Sequence, residues 1–464
     1  MSDTRREKDS LGFFEVPSRA YFGAQTARAV ENFPISGMRA HPLLIRAMGM
    51  VKRAAAEANR EVGTLDERRA KAIAAAAQET IDGRHDADFV VDVFQAGAGV
   101  SFHMNANEVI ANRANEILGH ELGSYAEVHP NDHVNFGQST NDVFPTAMRL
   151  AALLALETLY PEIDGVAEAF ERKGSEFDSV VKAGRTHMQD AVPIRLGQEF
   201  AAYGMAFRRG GAAIRQAADS LRELGLGGTA VGTGLNAPPA FRPKAVAGLE
   251  RISGQKLVPA EDPRWAMQSQ SCMALVSGSL RALALETIRI SNDLRLLSSG
   301  PNTGFNEIHL PALQPGSSIM PGKVNPVMAE LAAMVSFQVV GNDAAVAMAV
   351  QAGQLELNVM MPAMAWNVLQ SITILANMLR VFRERCVEGI TANQERCRQY
   401  AESTIALATA LNPLIGYAKA AELVKESVAS GESMVSLARR KAGLSEEQAA
   451  VLDPGGMTGR PGRA

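Results

Sequence analysis

The sequence predicts an all-α protein of three domains built around a long central helical bundle. Three observations carry that expectation. Few segments alternate polar and apolar residues in the strand manner, while long stretches place apolar residues at helical spacing. Those stretches are rich in the strong helix formers Ala, Leu, Met, Glu and Arg. Aromatic residues make up only 5% of the chain, so the bundle is expected to pack through aliphatic side chains.

Residues 1–138 read as an N-terminal domain of shorter helices after an irregular start. Within it, residues 95–107 form a Gly-rich turn leading to a helix expected from Ala106, with Asn105 as its cap. Residues 139–392 read as the central domain, with helices over about 141–173, 196–224, 263–299, 326–352 and 362–388. In the third of these, Leu280, Leu283, Ile290, Leu294 and Leu297 recur at threes, fours and sevens and stripe one face. Helices this long and apolar should bury more than one face, which predicts oligomerisation. Residues 393–464 read as a small C-terminal domain of shorter helices. Its tail from Pro454 is rich in Gly, Pro and Arg and is expected to fray.

Composition bounds the function. The 464 residues carry a net charge of −4, so no basic field points to nucleic acid or a membrane surface, and any anion site must be local. Apolar stretches are expected to be interrupted by charge before membrane-spanning length. The N-terminus is charged, without the apolar core of a signal peptide. The three cysteines, Cys272, Cys386 and Cys397, have no metal-ligand spacing and fit a reducing cytoplasm.

The segment most informative about chemistry is 316–330, which contains Gly316, Ser317, Ser318, Met320, Pro321, Gly322, Lys323 and Asn325 and ends at Glu330. Two adjacent hydroxyls, a lysine and an asparagine sit on a loop that Pro321 stiffens and two glycines loosen. That is a mobile loop with a potential proton acceptor beside anion-binding donors. Residues 184–190 gather Arg185, Thr186, His187, Gln189 and Asp190. They read either as a solvated loop between helices or, because His187 can titrate near neutrality, as part of a site. Residues 138–142 (Gln138, Ser139, Thr140, Asn141, Asp142) open a helical pattern. They read equally as capping or as a carboxylate site at a helix N-terminus. Three other motifs fail. Residues 225–230 mimic a dinucleotide fingerprint but follow a helix. Gly322–Lys323 lacks the Ser/Thr of a phosphate loop. His129 and His133 flank Pro130, which favours a loop-structuring role over metal ligation.

Together these segments resemble the aspartase/fumarase superfamily. The loop 316–325 matches its signature, and 97–107, 138–142 and 184–190 match its other motifs in order. The resemblance extends from about Asp9 to Pro413. Residues 295–301 and 189–197 resemble the aspartate ammonia-lyase branch. Pro321-Gly322-Lys323 and the Phe144–Met148 stretch also resemble class II fumarases. The resemblance implies a homotetramer whose active sites are each shared between three subunits. It further implies cofactor-free anti-elimination from a small dicarboxylate to give fumarate, with no metal. It makes Ser317 the base, with Ser318, Ser139 and Thr140 on the β-carboxylate. Lys323, Asn325 and Thr186 fall on the α-carboxylate, His187 and Asn141 near the amino group, and Glu330 orients His187. Val100, Ser101, His103 and Met320 also border the substrate. Two positions depart from the pattern. Val100 replaces a Thr whose hydroxyl would touch the amino group and β-carboxylate, a contact worth about 0.5–1.5 kcal/mol. His103 stands where the family has Asn. Both lie beside the leaving group, so a leaving group other than ammonia, or a substituted amine, stays open. So does a non-catalytic structural role.

Overall fold

A computed structural model of the chain describes residues 3–459, so residues 460–464 of the tail lie outside the described residues. Among the described residues the chain is mostly helical, with four two-stranded sheets. In order come strands β1 (Thr4–Asp9) and β2 (Gly12–Pro17), then helices α1 (Ala24–Asn32), α2 (Pro42–Glu61), α3 (Glu67–Ile81), α4 (Val100–Ile117) and α5 (Thr140–Glu176). Strands β3 (Val181–Thr186) and β4 (Gln189–Arg195) lead to α6 (Leu196–Ala218), β5 (Glu223–Leu224), α7 (Phe241–Ser253), β6 (Val258–Pro259) and α8 (Pro263–Gln268). There follow α9 (Ser271–Leu297), β7 (Ile308–His309), α10 (Val327–Gln351), α11 (Met361–Arg385), β8 (Thr391–Ala392) and α12 (Gln394–Ser403). The chain closes with α13 (Asn412–Ile415), α14 (Tyr417–Ser430), α15 (Met434–Ala442) and α16 (Glu446–Ala449).

Contacts divide the chain into two compact units. One comprises Met1–Tyr160, Ala212–Ala282 and Phe337–Ala376; the other comprises Pro161–Gly211, Leu283–Ser336 and Asn377–Ala464. In the first, α2, α3 and α4 share a core of small residues, including Ala56, Ala70, Ala76, Ala77, Ala111 and Ala114, with Ile73 and Ile110 filling the gaps. Alanine lets helix backbones approach closely without side-chain entropy cost. The second unit departs from the expected aliphatic packing. Phe170, Phe177, Phe200, Tyr203, Phe207 and Phe382 gather there, with Phe177 edge-on to Phe200 at 5.1 Å and Phe170 stacked on Phe207 at 5.8 Å. Few aromatics, placed together, build one large local core.

Several expectations are corrected. The irregular start is an antiparallel hairpin, in which Asp9 pairs with Gly12. The helix expected over 196–224 stops at Ala218 and yields to a short turn and the β5–β6 bridge. The single helix expected over 263–299 is broken at Ser269, whose backbone is extended. The break has a clear cause. The fully buried Arg149 guanidinium needs acceptors, and the freed carbonyls of Ala266 (3.1 Å) and Ser269 (3.4 Å) supply them, with Glu223 O and Gln270 Oε1. The described part of the C-terminal tail is held in place. Gln198 Nε2 donates to Thr458 O at 3.1 Å and Arg195 Nη2 to Gly459 O at 2.9 Å.

Charge also interrupts the apolar stretches less than expected. By length and composition alone, α5, α9 and α10 are each apolar enough to cross a membrane. The apolar window of α5 is 78% buried inside the protein, against 44% for α9 and 39% for α10.

Candidate active site

In the first unit, Gly97, Ala98 and Gly99 all take positive φ, which turns the chain sharply into α4. A Cβ on Gly99 would stand 2.2 Å from the Phe144 ring, so only glycine fits there. Helix α4 therefore begins at Val100, not Ala106, and the expected Asn105 cap is wrong. Asn105 is buried inside the helix. Its Nδ2 donates to Asp88 O at 2.9 Å and its Oδ1 accepts from Val90 N at 3.1 Å. The first turn carries Val100, which is exposed, and Ser101 and His103, which are buried.

At the start of α5, Ser139 acts as the N-cap. Its Oγ accepts from Asn141 N at 3.2 Å, which leaves the hydroxyl proton free to donate outward. Asn141 Nδ2 donates to Ala230 O at 2.8 Å, leaving Oδ1 as an acceptor. Thr140 Oγ1 lies 2.7 Å from His103 Nδ1. Asp142 is wholly buried and locks the region. One oxygen accepts from Ser139 N at 2.9 Å, and the other from Gly227 N and Thr229 N, each at 2.9 Å. Burial pushes its carboxyl up to about 6, against the opposing pull of those N–H groups and Lys52. An open cavity lies beside this end of the helix, lined by Asn131, Asn135, Ser139, Thr229 and Ala230.

Lys52 is the functional candidate that sequence reasoning missed. It is fully buried, with Nζ 2.6 Å from His103 Nε2, 3.0 Å from Asn135 Oδ1 and 2.9 Å from Gln138 Oε1. Burial drives its pKa well down, opposed by Asp142. Burial, and then the Lys52 charge, drive the His103 imidazole well down as well. The sequence did hold a signal. Lys52 falls on the apolar stripe of α2 that includes Leu44, Met48, Val51 and Ala55, where a solvated lysine has no place.

The histidines 129 and 133 shape a turn, as their spacing around Pro130 predicts. His129 Nδ1 accepts from Asn131 N at 3.3 Å, and His133 Nδ1 accepts from His129 N at 2.8 Å.

In the second unit, residues 184–190 are a hairpin and not a helix-connecting loop. Strands β3 and β4 pair antiparallel, with Thr186 opposite Gln189. His187 and Met188 form the two-residue turn at φ 54° and 62°. Two consecutive left-handed residues match the twist of a tight hairpin, a conformation usually given to Asn and Gly. Thr186 and His187 are thereby held exposed at its tip. The base of the hairpin is anchored by buried Glu307, which accepts from Arg185 Nη1 at 3.0 Å and pairs with Lys182 Nζ at 3.2 Å.

The loop 316–325 is closed at its neck. Gly316 N donates to Lys323 O at 2.7 Å, and Asn325 Nδ2 donates to Gly316 O at 2.8 Å. Gly316 serves this close approach more than looseness, since a Cβ would meet Lys323 O at 2.6 Å. Ser317 is half-buried, and its Oγ accepts from Ile319 N at 3.2 Å and Met320 N at 3.0 Å. Ser318, Met320 and Lys323 are exposed. Glu330 lies in the first turn of α10, and among the described residues no hydrogen bond joins it to His187.

The expected residues thus form two separate sets. Val100, Ser101, His103, Ser139, Thr140 and Asn141 belong to one unit, and Thr186, His187, Ser317, Ser318, Met320, Lys323, Asn325 and Glu330 to the other.

Known proteins share this chain's sequence and fold. A lyase family matches residues 12–341, and a family described as the fumarase C C-terminus matches residues 407–459. An aspartate ammonia-lyase of Bacillus sp is 49% identical over 464 residues, spanning 100% of this chain and 99% of its own length. A class II fumarate hydratase of Halobacterium salinarum is 51% identical over 460 residues, spanning 99% and 98%. The solved fumarate lyase:delta crystallin of Brucella melitensis bound to cobalt has a TM-score of 0.95 and 50% identity, covering 98% of this chain and 100% of its own. The class II fumarase of Schistosoma mansoni also superposes at a TM-score of 0.95, with 37% identity, covering 98% of this chain and 99% of its own. The chain belongs to the aspartase/fumarase superfamily of lyases.

Proposed function

We propose that the protein is an aspartate ammonia-lyase, which converts L-aspartate reversibly to fumarate and ammonia in a homotetramer whose sites draw on three subunits. The observation that carries the chemistry is at Ser317. A serine is a poor base because its alkoxide is costly. Here two backbone N–H groups already point at Oγ, and hydrogen bonds to the charged form favour it.

In the proposed step, Ser317 Oγ takes the β-proton. The electron pair of the C–H bond moves onto the β-carboxylate as an enediolate. Ser139, Thr140 and Ser318 donate to that group as its charge grows, which is the largest stabilisation such a step requires. Lys323, Asn325 and Thr186 hold the α-carboxylate. The enediolate collapses to the alkene as the C–N bond breaks, and ammonia leaves past His187 and Asn141 Oδ1. Glu330 orients His187 across the assembled site.

Purified protein given fumarate and ammonium should form aspartate; no turnover in either direction would sink the proposal. A second reading, hydration of fumarate to malate, is favoured by the fumarate hydratase relative. The same assay without ammonium tests it. Val100 and His103 favour a third, elimination from an N-substituted or otherwise modified aspartate, which a panel of substituted succinates tests. A non-catalytic structural role is opposed by the presence of Ser317, Lys323, Asn325 and His187 together. If that role held, replacing any of them would be silent.

A further inference from the structure

A chain of three side chains runs from the interior of the first unit to the start of α5. Its proton arrangement follows from its neighbours. Asn135 Nδ2 donates to Gln138 O at 3.3 Å, and Gln138 Nε2 donates to Val134 O at 3.1 Å and Phe136 O at 3.2 Å. Those bonds fix both amides with their oxygens toward Lys52. An ammonium has three N–H donors and no acceptor. Two go to Asn135 Oδ1 and Gln138 Oε1, and the third goes to His103 Nε2 at 2.6 Å. Nε2 is then the unprotonated nitrogen of a neutral imidazole, so Nδ1 carries the proton and donates it to Thr140 Oγ1 at 2.7 Å. The Thr140 hydroxyl has its lone pair occupied from behind. Its own proton is left to point outward.

Burial weakens the Lys52 charge. In the ammonium form each of the three surrounding acceptors receives a proton, and the buried Asp142 carboxylate favours that form. A neutral amine would reverse the relay: it would accept from His103 Nε2–H and turn Nδ1 into an acceptor of the Thr140 proton, so only the ammonium leaves that proton to the substrate.

We propose that Lys52, acting through His103, orders the Thr140 hydroxyl as a committed hydrogen-bond donor to the substrate carboxylate. The inference rests on the reading of Thr140 as a carboxylate ligand in the proposed function. Lys52 and His103 are positioning residues that act through Thr140. The histidine is what makes the link. An asparagine at 103 would carry its amide nitrogen one bond beyond Cγ, where the histidine has Nδ1, and would have no atom at the place of Nε2 to meet Lys52.

The test measures the dissociation constant of succinate, a dicarboxylate that cannot undergo elimination, in the full-length oligomer. His103→Leu should weaken succinate about tenfold or more, the scale of one lost hydrogen bond to a charged group. In a Thr140→Ala background the same change should add nothing, because its effect passes through the missing hydroxyl. His103→Asn should restore binding to within about threefold of the native protein, since its amide can still donate to Thr140. Lys52→Met should weaken succinate in the native background and be silent in the His103→Asn background. Additive effects of His103→Leu and Thr140→Ala, or an equal effect of Lys52→Met in both backgrounds, would overturn the proposal. If Lys52→Met fails to fold, the His103–Thr140 pair decides alone. A native protein that elutes as a folded oligomer but ignores succinate would overturn the dicarboxylate reading itself, and this inference with it.

Discussion

Ser317 can be removed without disturbing much else. Its side chain accepts two local N–H groups on a loop whose neck is held by Gly316, Lys323 and Asn325. Ser317→Ala should therefore leave the thermal midpoint within about 2 °C, since two local bonds on a solvent-facing loop, whose N–H groups water can satisfy, are worth little. It should lower kcat by roughly a thousandfold or more, the scale of losing a proton-transfer group. A variant retaining a tenth of native kcat would show that another group takes the proton. Val100 is the complementary case. Its exposed position at the first turn of α4 accommodates a hydroxyl. Val100→Thr should improve kcat/KM for aspartate by about 2- to 10-fold if that hydroxyl meets the amino group or β-carboxylate. No change, or better use of a substituted aspartate, would favour another leaving group. At this scale the sequence was most legible where residues cluster in motifs. Lys52 escaped because it stands alone in a helix, and a lone lysine is normally a solvated one.

The helices and hairpins set where those residues can stand. Gly184 sits on β3 where a Cβ would meet the Val192 carbonyl at 2.5 Å. Gly184→Ala should force β3 and β4 apart and displace the His187 tip, lowering kcat/KM by tenfold or more while much of the helical signal in circular dichroism survives. Full activity would mean that the pair tolerates the separation. Asp142 joins the start of α5 to the Gly227–Thr229 turn, and its titration has a definite sign. Burial raises its carboxyl from 3.8 to about 6, so the folded chain binds this proton more tightly than the unfolded chain. The resulting stability is fully present below pH 3.8 and is lost as pH rises through about 6. The interval is worth roughly 3 kcal/mol. The stability gap between the native protein and Asp142→Asn, read from urea midpoints, should narrow by about that much between pH 4 and 7. A gap that stays constant or widens would contradict this direction. Element boundaries were harder to read than element existence. The break at Ser269 answers to Arg149, 120 residues earlier, and no local pattern announces it. The hairpin at 181–195 was hidden because its turn is His187-Met188, with none of the usual Asn or Gly.

For the whole molecule, the long helices were legible because periodicity persists over many turns. Their surroundings were not. Helix α10 is apolar on all sides yet leaves Met334, Phe337 and Met348 exposed, and α9 leaves Leu275, Leu285 and Leu296 exposed. A helix hydrophobic all round belongs in an interior, so these faces call for a further protein surface. Light scattering should give four copies. Phe337→Arg should shift the mass toward smaller species, with activity lost in parallel. A native protein that is monomeric and active would refute the shared-site reading.

The Asp142 bridge also has a consequence in time. Its partners Gly227 and Thr229 lie 85 and 87 residues further along the chain. At a synthesis rate of about 5–20 residues per second, the ribosome delivers them roughly 4–17 s after Asp142 itself. Throughout that interval a nascent chain carries this carboxylate without its distant donors, so the tip of α5 cannot complete its native hydrogen bonds until synthesis has passed Thr229.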